Sequence, residues 1–145
     1  MSKSGRFLER EVFIALLRVH ERLKGEMEAL FAEQGLSEAQ FNALRILRGA
    51  GPKGLPTQQI AERLITRQPD VTRLVDRLCA AKLVLRRRCE EDRRVVYVVL
   101  TAAGRKALGA LDAPVDALHR RQFAHMERKQ LALLGELLGE ACPGE

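Results

Sequence analysis

The sequence has few of the residues that mark a disulfide-rich, metal-binding or membrane-spanning protein. Its 145 residues include no Trp, one Tyr and five Phe, so we expect a core built mainly from Leu, Val, Ile and Ala. Cys79, Cys89 and Cys142 lack C-x-x-C spacing, which argues against a disulfide framework and a zinc ribbon. No apolar run approaches the ~20 residues that a membrane-spanning helix needs, and Met1–Arg6 opens no apolar signal core. We therefore expect a cytoplasmic protein with no membrane partner and no metal site.

Catalytic motifs are also missing. The sequence contains no H-E-x-x-H motif, no P-loop and no nucleophile elbow. The acidic residues 90–92 fall in a predicted exposed turn, where no apolar surroundings would adapt them to acid–base catalysis. Residues 49–54 match G-x-G-x-x-G, but they follow a helical pattern instead of a strand, so we interpret them as a connecting loop. These absences predict a protein that is not an enzyme and needs no cofactor.

The net charge of +6 is concentrated in the middle of the chain. Residues 37–100 hold 13 basic and 7 acidic residues, whereas the two flanks together hold 12 of each. Arginine outnumbers lysine by 19 to 6, and guanidinium groups form bidentate bonds with phosphate and guanine. A GC-rich genome would explain the arginine excess, but it would not explain where the charge is placed. The pattern predicts that the central segment binds nucleic acid.

Apolar periodicity predicts long helices in both flanks. Steps of three and four residues mark one helix over residues 7–34, and its apolar stripe is wider than one neighbouring lobe requires. Thr101 is the predicted cap of a C-terminal helix, and a last helix over about 127–141 is expected to bury Leu131, Leu134, Leu137 and Leu138. Two neutral, Leu-rich flanks make little sense in a lone protomer. We therefore predict that residues 1–36 and 101–145 form a helical dimerisation region.

The central segment has the pattern of a helix-turn-helix. Ser37 and Gln40 form a capping box that opens one helix. A short helix then begins at Pro56-Thr57, and after a three-residue turn, 65–67, another begins near Gln68-Pro69. Two short helices joined in this way are typical of DNA-binding proteins.

A hairpin follows the helix-turn-helix. The β-branched run 95–99 is expected to pair with residues 84–88 across a polar turn, in the only convincing strand pair of the chain. We therefore predict a mainly α fold with a small β-hairpin wing (α+β), a winged helix-turn-helix. The protomer, 1–145, is a single domain in which residues 37–100 form the DNA-binding lobe.

The second helix of a helix-turn-helix presents its N-terminal residues to base edges in the major groove. In this chain the candidate side chains can bond to guanine, adenine and phosphate. They are Arg67, Gln68, Thr72, Arg73 and Arg77. The alternative is a solvated helix face without a ligand. The turn spacing and the hairpin that follows favour contact with double-stranded DNA.

The order of the elements resembles the MarR family of bacterial transcriptional regulators. The resemblance covers essentially the whole chain and is densest in residues 60–64 (IAERL), 69–78 (PDVTRLVDRL) and 91–95 (EDRRV), the last followed by L-T-A-A-G at 100–104. It implies a dimeric winged-helix protein that acts mostly as a repressor. It also implies a small, often aromatic or phenolic effector in the crevice between the dimer interface and the DNA-binding lobe.

The wing is rich in arginine. Its candidate DNA contacts are Arg86, Arg87, Arg88, Asp92, Arg93 and Arg94. A narrow minor groove attracts arginine side chains, and the resemblance implies that Arg94 is the inserted residue and that Asp92 orients it through a charge-assisted hydrogen bond. The alternative is acid–base pairing inside the wing with no role in DNA binding. That alternative explains Asp92 but leaves the arginines at 86–88 unpaired.

Two other functions stay open. Cys89 lies beside three arginines that would stabilise a thiolate, which permits a redox-responsive regulator. The peroxide-sensing branch of the family carries its reactive cysteine early in the first helix, where this chain has none. The second alternative is a winged helix that serves as a protein-interaction module, for which the concentrated positive charge has no evident use.

Overall fold

A computed structural model describes residues 7–144 of the chain, and the prediction for Met1–Arg6 lies outside them. The fold consists of helices and a small antiparallel sheet, as predicted for a mainly α fold with a wing. The elements in chain order are α1 (Leu8–Glu33), α2 (Glu38–Ala50), β1 (Leu55–Pro56), α3 (Thr57–Arg63), α4 (Val71–Ala80), β2 (Val84–Arg88), β3 (Val96–Leu100), α5 (Ala102–Gln122) and α6 (Arg128–Ala141). None of the helices in this described part is both long and apolar enough to cross a bilayer.

Side-chain caps fix where α2 and α5 begin. The predicted capping box of α2 is present: Gln40 N donates to Ser37 Oγ at 3.1 Å, and Ser37 N donates to Gln40 Oε1 at 2.8 Å. At α5, Gly104 N donates to Thr101 Oγ1 at 3.0 Å. The same hydroxyl donates to Leu83 O at 2.9 Å. Thr101 therefore starts α5 and also fastens it to the chain that enters β2.

The sheet has three strands in the order β1-β3-β2. The predicted hairpin is confirmed as β2 and β3, with Arg86 opposite Val98 in the register. The expectation of a single strand pair is wrong, because the two-residue strand β1 pairs with the other edge of β3 through Leu55 and Val98. A two-residue strand that contains Pro56 has no period to detect. Gly54 precedes it at φ +76°, and a Cβ there would overlap the carbonyl oxygen of Val98.

The core lies mainly within residues 37–100 and extends to parts of α1 and α5. Phe31 of α1 stacks on Phe41 of α2 with ring centroids 4.3 Å apart. The largest fully buried side chains around this pair come from α2, α3, α4, β3 and α5 and include Leu44, Leu47, Ile60, Leu78, Val98, Leu108 and Leu111. The core is mainly aliphatic, as the shortage of aromatic residues predicts.

The prediction that α6 buries its leucines is wrong for the single chain. No residue of α6 is buried, and Leu137 and Leu138 are 52% and 41% exposed. The first half of α1 is also uncovered, with Phe13 61% exposed. The apolar periods of α1 and α6 are real. The second half of α1 packs on the core through Met27, Leu30 and Phe31, whereas the stripes of its first half and of α6 are left largely uncovered by their own chain.

Candidate nucleic-acid interface

The helix α4 has one face in the core and the other in solvent. Leu74, Val75 and Leu78 are buried, whereas Thr72, Arg73 and Arg77 are exposed. The buried residues anchor the helix through apolar contacts. Its exposed face is therefore free to meet a ligand without disturbing the lobe.

The start of α4 differs from the prediction. The helix begins at Val71 instead of Gln68-Pro69, because Asp70 is its N-cap and accepts a 2.9 Å hydrogen bond from Arg73 N. A proline ring disfavours helical backbone angles in the residue before it, so Pro69 keeps Gln68 outside the helix. The three-residue turn is also wrong, since residues 64–70 separate α3 from α4.

This boundary divides the predicted recognition residues into two groups. Thr72, Arg73 and Arg77 lie on α4, whereas Arg67 and Gln68 lie in the preceding loop. Arg67 is exposed there. Gln68 is half-buried and lines a cleft of about 200 Å³ that reaches residues of α1 and α2.

Strand alternation separates the three consecutive arginines of β2. Arg86 lies opposite the fully buried Val98, and it is on the side of the sheet that meets the core. Its Nη2 lies 2.6 Å from Asp76 Oδ1 of α4. Arg87 lies opposite Tyr97 on the other side, and its Nη2 donates to Pro52 O at 3.3 Å. The sequence offered no acidic partner inside the wing for residues 86–88, and the structure gives Arg86 a partner outside the wing, in Asp76 of α4.

The wing tip holds one arginine in a fixed direction. Asp92 Oδ1 accepts hydrogen bonds from Arg94 N and Arg94 Nε, both at 3.1 Å, and Asp92 Oδ2 accepts one from Arg94 Nη2 at 3.2 Å. The side chain of Arg94 is nevertheless 91% exposed. Hydrogen bonds from the side chain and then the backbone of Arg94 lower the pKa of Asp92 below its ordinary value. Arg93, the remaining predicted wing arginine, is exposed beside this pair.

Cys89 lies at the base of the wing turn. It is half-buried and lines a cleft of about 300 Å³ with the arginines at 87 and 88. Lys53 and Tyr97, which sequence reasoning missed, line the same cleft, with Lys53 Nζ 5.4 Å from the centre of the Tyr97 ring. Lys53 comes from the glycine-rich loop, and only the pairing of β1 with β3 places it there. Cys89 is a free thiol.

Across residues 7–144, His, Cys, Asp and Glu side chains form no group of three able to hold a metal ion.

Comparison with known proteins identifies the family. A family model described as the MarR family matches residues 36–96, which is nearly the predicted DNA-binding lobe. The crystal structure of a MarR transcription factor from Planctomyces limnophilus is 45% identical, covers 89% of this chain and 93% of that one, and superposes with a TM-score of 0.72. The transcriptional repressor YetL of Bacillus subtilis is 33% identical over 98 residues, which span 68% of this chain and 59% of YetL.

The fold is also shared with a more distant protein. A cysteine-to-serine mutant of MarR from Escherichia coli, solved in complex with operator DNA, is 23% identical and has a TM-score of 0.82, covering 97% of this chain and 100% of that one. Family match, sequence identity and fold agree on one conclusion. The chain belongs to the MarR family of winged-helix transcriptional regulators.

Proposed function

We propose that the protein binds a pseudo-palindromic DNA operator as a homodimer and represses transcription. The observation that carries the proposal is the pairing of an exposed polar face on α4 with an oriented, exposed arginine at the wing tip. A helix can read base edges in the major groove, and an arginine can enter a narrow minor groove. Thr72, Arg73 and Arg77 supply the first device, and Arg94 held by Asp92 supplies the second.

The uncovered apolar faces support the homodimer. The first half of α1 and much of α6 expose large apolar side chains to solvent, including Phe13 and Leu137. Contiguous apolar patches of this kind are typical of interfaces. A two-fold pairing of these flanks would carry two copies of α4. A dimer of this type reads half-sites one duplex turn apart, about 34–36 Å.

A cleft between α2 and α5 supports control by a small effector. Its volume is about 370 Å³, and its lining includes Phe41, Arg45, Val115, Asp116 and His119. Beside it, Arg48 of α2 forms a bidentate ion pair with Asp112 of α5 at 2.9–3.0 Å. An aromatic or phenolic molecule would find an aromatic ring and cationic groups there. Because the cleft lies between the DNA-binding lobe and the dimerisation region, its occupant could change their relative position.

The test is enrichment of genomic DNA fragments by the purified full chain at near-physiological salt, followed by sequencing. The expected result is an inverted repeat whose half-site centres lie about one duplex turn apart. The matched control is the Thr72→Ala, Arg73→Ala double variant, which should bind DNA without recovering that motif. Salt-insensitive or motif-free recovery by the unmodified chain would contradict the proposal and favour the protein-interaction alternative.

A further inference from the structure

One ion pair joins the wing to the recognition helix. Arg86 of β2 and Asp76 of α4 approach to 2.6 Å between Nη2 and Oδ1, and Arg86 Nη1 lies 3.7 Å from the sulfur of Cys79 on the same helix. The side chains of Arg86 and Asp76 are 36% and 58% exposed. The guanidinium group therefore lies against α4, with its charge directed at a carboxylate.

The rest of β2 offers little apolar contact to α4. Val84 is buried, but the strand is exposed from Leu85 to Arg88. Burial therefore fixes the base of the wing and leaves the direction of its outer half to polar contacts. Since Arg94 lies beyond that outer half, a small change in the direction of β2 would displace the wing tip by more than it displaces Arg86.

We propose that Asp76 and Arg86 are positioning residues that set the wing relative to the recognition helix. The inference rests on the proposed DNA-binding function. The sequence predicts that Arg86 contacts DNA, whereas in this proposal Arg86 acts by holding the wing in place. Asp76 is then needed for operator binding, although it is an acidic residue on a DNA-binding surface. Arg73 and Arg77 lie three residues before it and one residue after it on α4, so Asp76 lies within the cationic surface itself.

Because Asp76 is negatively charged, one substitution distinguishes the positioning role from direct contact between Arg86 and DNA. Replacing it with Asn raises the net charge by one and removes a group that repels phosphate. If Arg86 contacted DNA directly, Asp76→Asn would release it and binding to any duplex would become tighter. If the pair positions the wing, the same change weakens operator binding. The two hypotheses predict opposite signs.

The experiment measures binding of the full chain to the recovered operator and to random-sequence duplex by fluorescence anisotropy at several salt concentrations. We expect Asp76→Asn to weaken operator binding about two- to fivefold, in keeping with an exposed ion pair, and to leave random-duplex binding unchanged or tighter. Glu91→Gln makes the same change of charge at the exposed wing turn and is the matched control. It should not weaken operator binding.

A double-mutant cycle with Arg94→Ala completes the test. The loss caused by Arg94→Ala should be smaller in the Asp76→Asn background, because the displaced wing no longer delivers Arg94 correctly. Thermal unfolding by circular dichroism confirms that each variant is folded. Operator binding by Asp76→Asn that is equal or tighter, or losses that are strictly additive, would overturn the inference. Failure of the unmodified chain to bind any operator would instead overturn the proposed function.

Discussion

Asp92 and Arg94 form a short-range pair that prepares a cation for binding. Three hydrogen bonds of 3.1–3.2 Å reach one carboxylate from a residue two positions away. The contacts reduce the number of rotamers available to Arg94, so less entropy would be lost if the proposed DNA contact immobilised the side chain. The pair is therefore more useful for orienting Arg94 than for stabilising the fold.

The first prediction concerns the pKa of Asp92. Because the Arg94 bonds lower the pKa of this carboxyl below its ordinary value of 3.8, the pair is fully formed above that pH and is lost as the pH falls through the lower, folded-state value. Arg94→Ala should bring the pKa of Asp92 back towards 3.8. A carbon-detected NMR titration of the Asp92 carboxyl measures this. Arg93→Ala is the control, and an unchanged Asp92 pKa in Arg94→Ala would show that other groups lower it.

The backbone and the side chain of Arg73 on α4 can be tested separately. Its backbone N–H donates to the cap residue Asp70, whereas its side chain is exposed. Arg73→Ala keeps the capping bond and removes only the side chain. We expect a loss of about 1–3 kcal/mol in operator binding if the guanidinium meets a base, with little change in the melting temperature. Competition binding against random duplex measures it, and an unaltered preference for operator would show that Arg73 does not read sequence.

The sequence predicts which side chains are exposed and polar better than it predicts which side chains contact one another. The polar character of the exposed α4 face was readable from its helical period, and the Asp92–Arg94 contact followed from the family resemblance. Strand alternation predicts that Arg86 and Arg87 of β2 lie on opposite sides of the sheet. It does not predict which of the two sides faces Asp76. That answer depends on how the sheet packs against α4.

At the scale of elements, the L-T-A-A-G sequence at 100–104 has a physical explanation. Leu100 ends β3 in the core, Thr101 caps α5, and Gly104 lets the helix approach the chain before β2. A Cβ at Gly104 would overlap the carbonyl oxygen of Leu83, which is backbone and cannot turn away. This short motif therefore ends β3, begins α5 and allows α5 to pack closely against the backbone of Leu83.

Two alanine substitutions in α5 test this explanation. Gly104→Ala should lower the free energy of unfolding by about 1–3 kcal/mol through overpacking. Gly109→Ala, in the same helix with no atom within 4 Å of the added Cβ, should instead raise stability by about 0.5–1 kcal/mol through helix propensity. Urea denaturation followed by circular dichroism compares them. Equal effects of the two substitutions would mean that the contact with Leu83 is not limiting.

Element boundaries could be predicted where a side chain sets them. Ser37 and Thr101 were readable as caps, and α2 and α5 begin beside them. The start of α4 was misplaced because a proline is compatible with both a first helical turn and the residue before a cap. Strand β1 was missed because its two residues are held by pairing with β3 and not by any local pattern.

At the scale of the whole molecule, the flanks carry an apolar surface that the lobe does not cover. The sequence predicted that α1 and α6 are amphipathic and that the flanks pair between copies, but it did not show that the second half of α1 packs on its own core while α6 buries no residue there. Phe13, Leu133 and Leu137 are each more than half exposed. Fully burying a leucine or phenylalanine side chain contributes roughly 1.5–3 kcal/mol, and a second copy that covered the exposed part of these side chains would gain about half of that for each.

A charge placed at one exposed leucine or another tests whether α6 forms a dimer interface or is only an apolar part of the surface. Leu137→Glu places a charge in the uncovered face of α6, so the proposed dimer should dissociate and operator binding should fall sharply because one half-site is then read alone. Leu85→Glu introduces the same charge at a leucine that is 46% exposed on the sheet, outside α1 and α6, and should leave the dimer intact. Sedimentation velocity of both variants measures the oligomeric state directly. A dimer that survives Leu137→Glu would place the interface away from α6 and leave the exposed leucines of that helix to another partner.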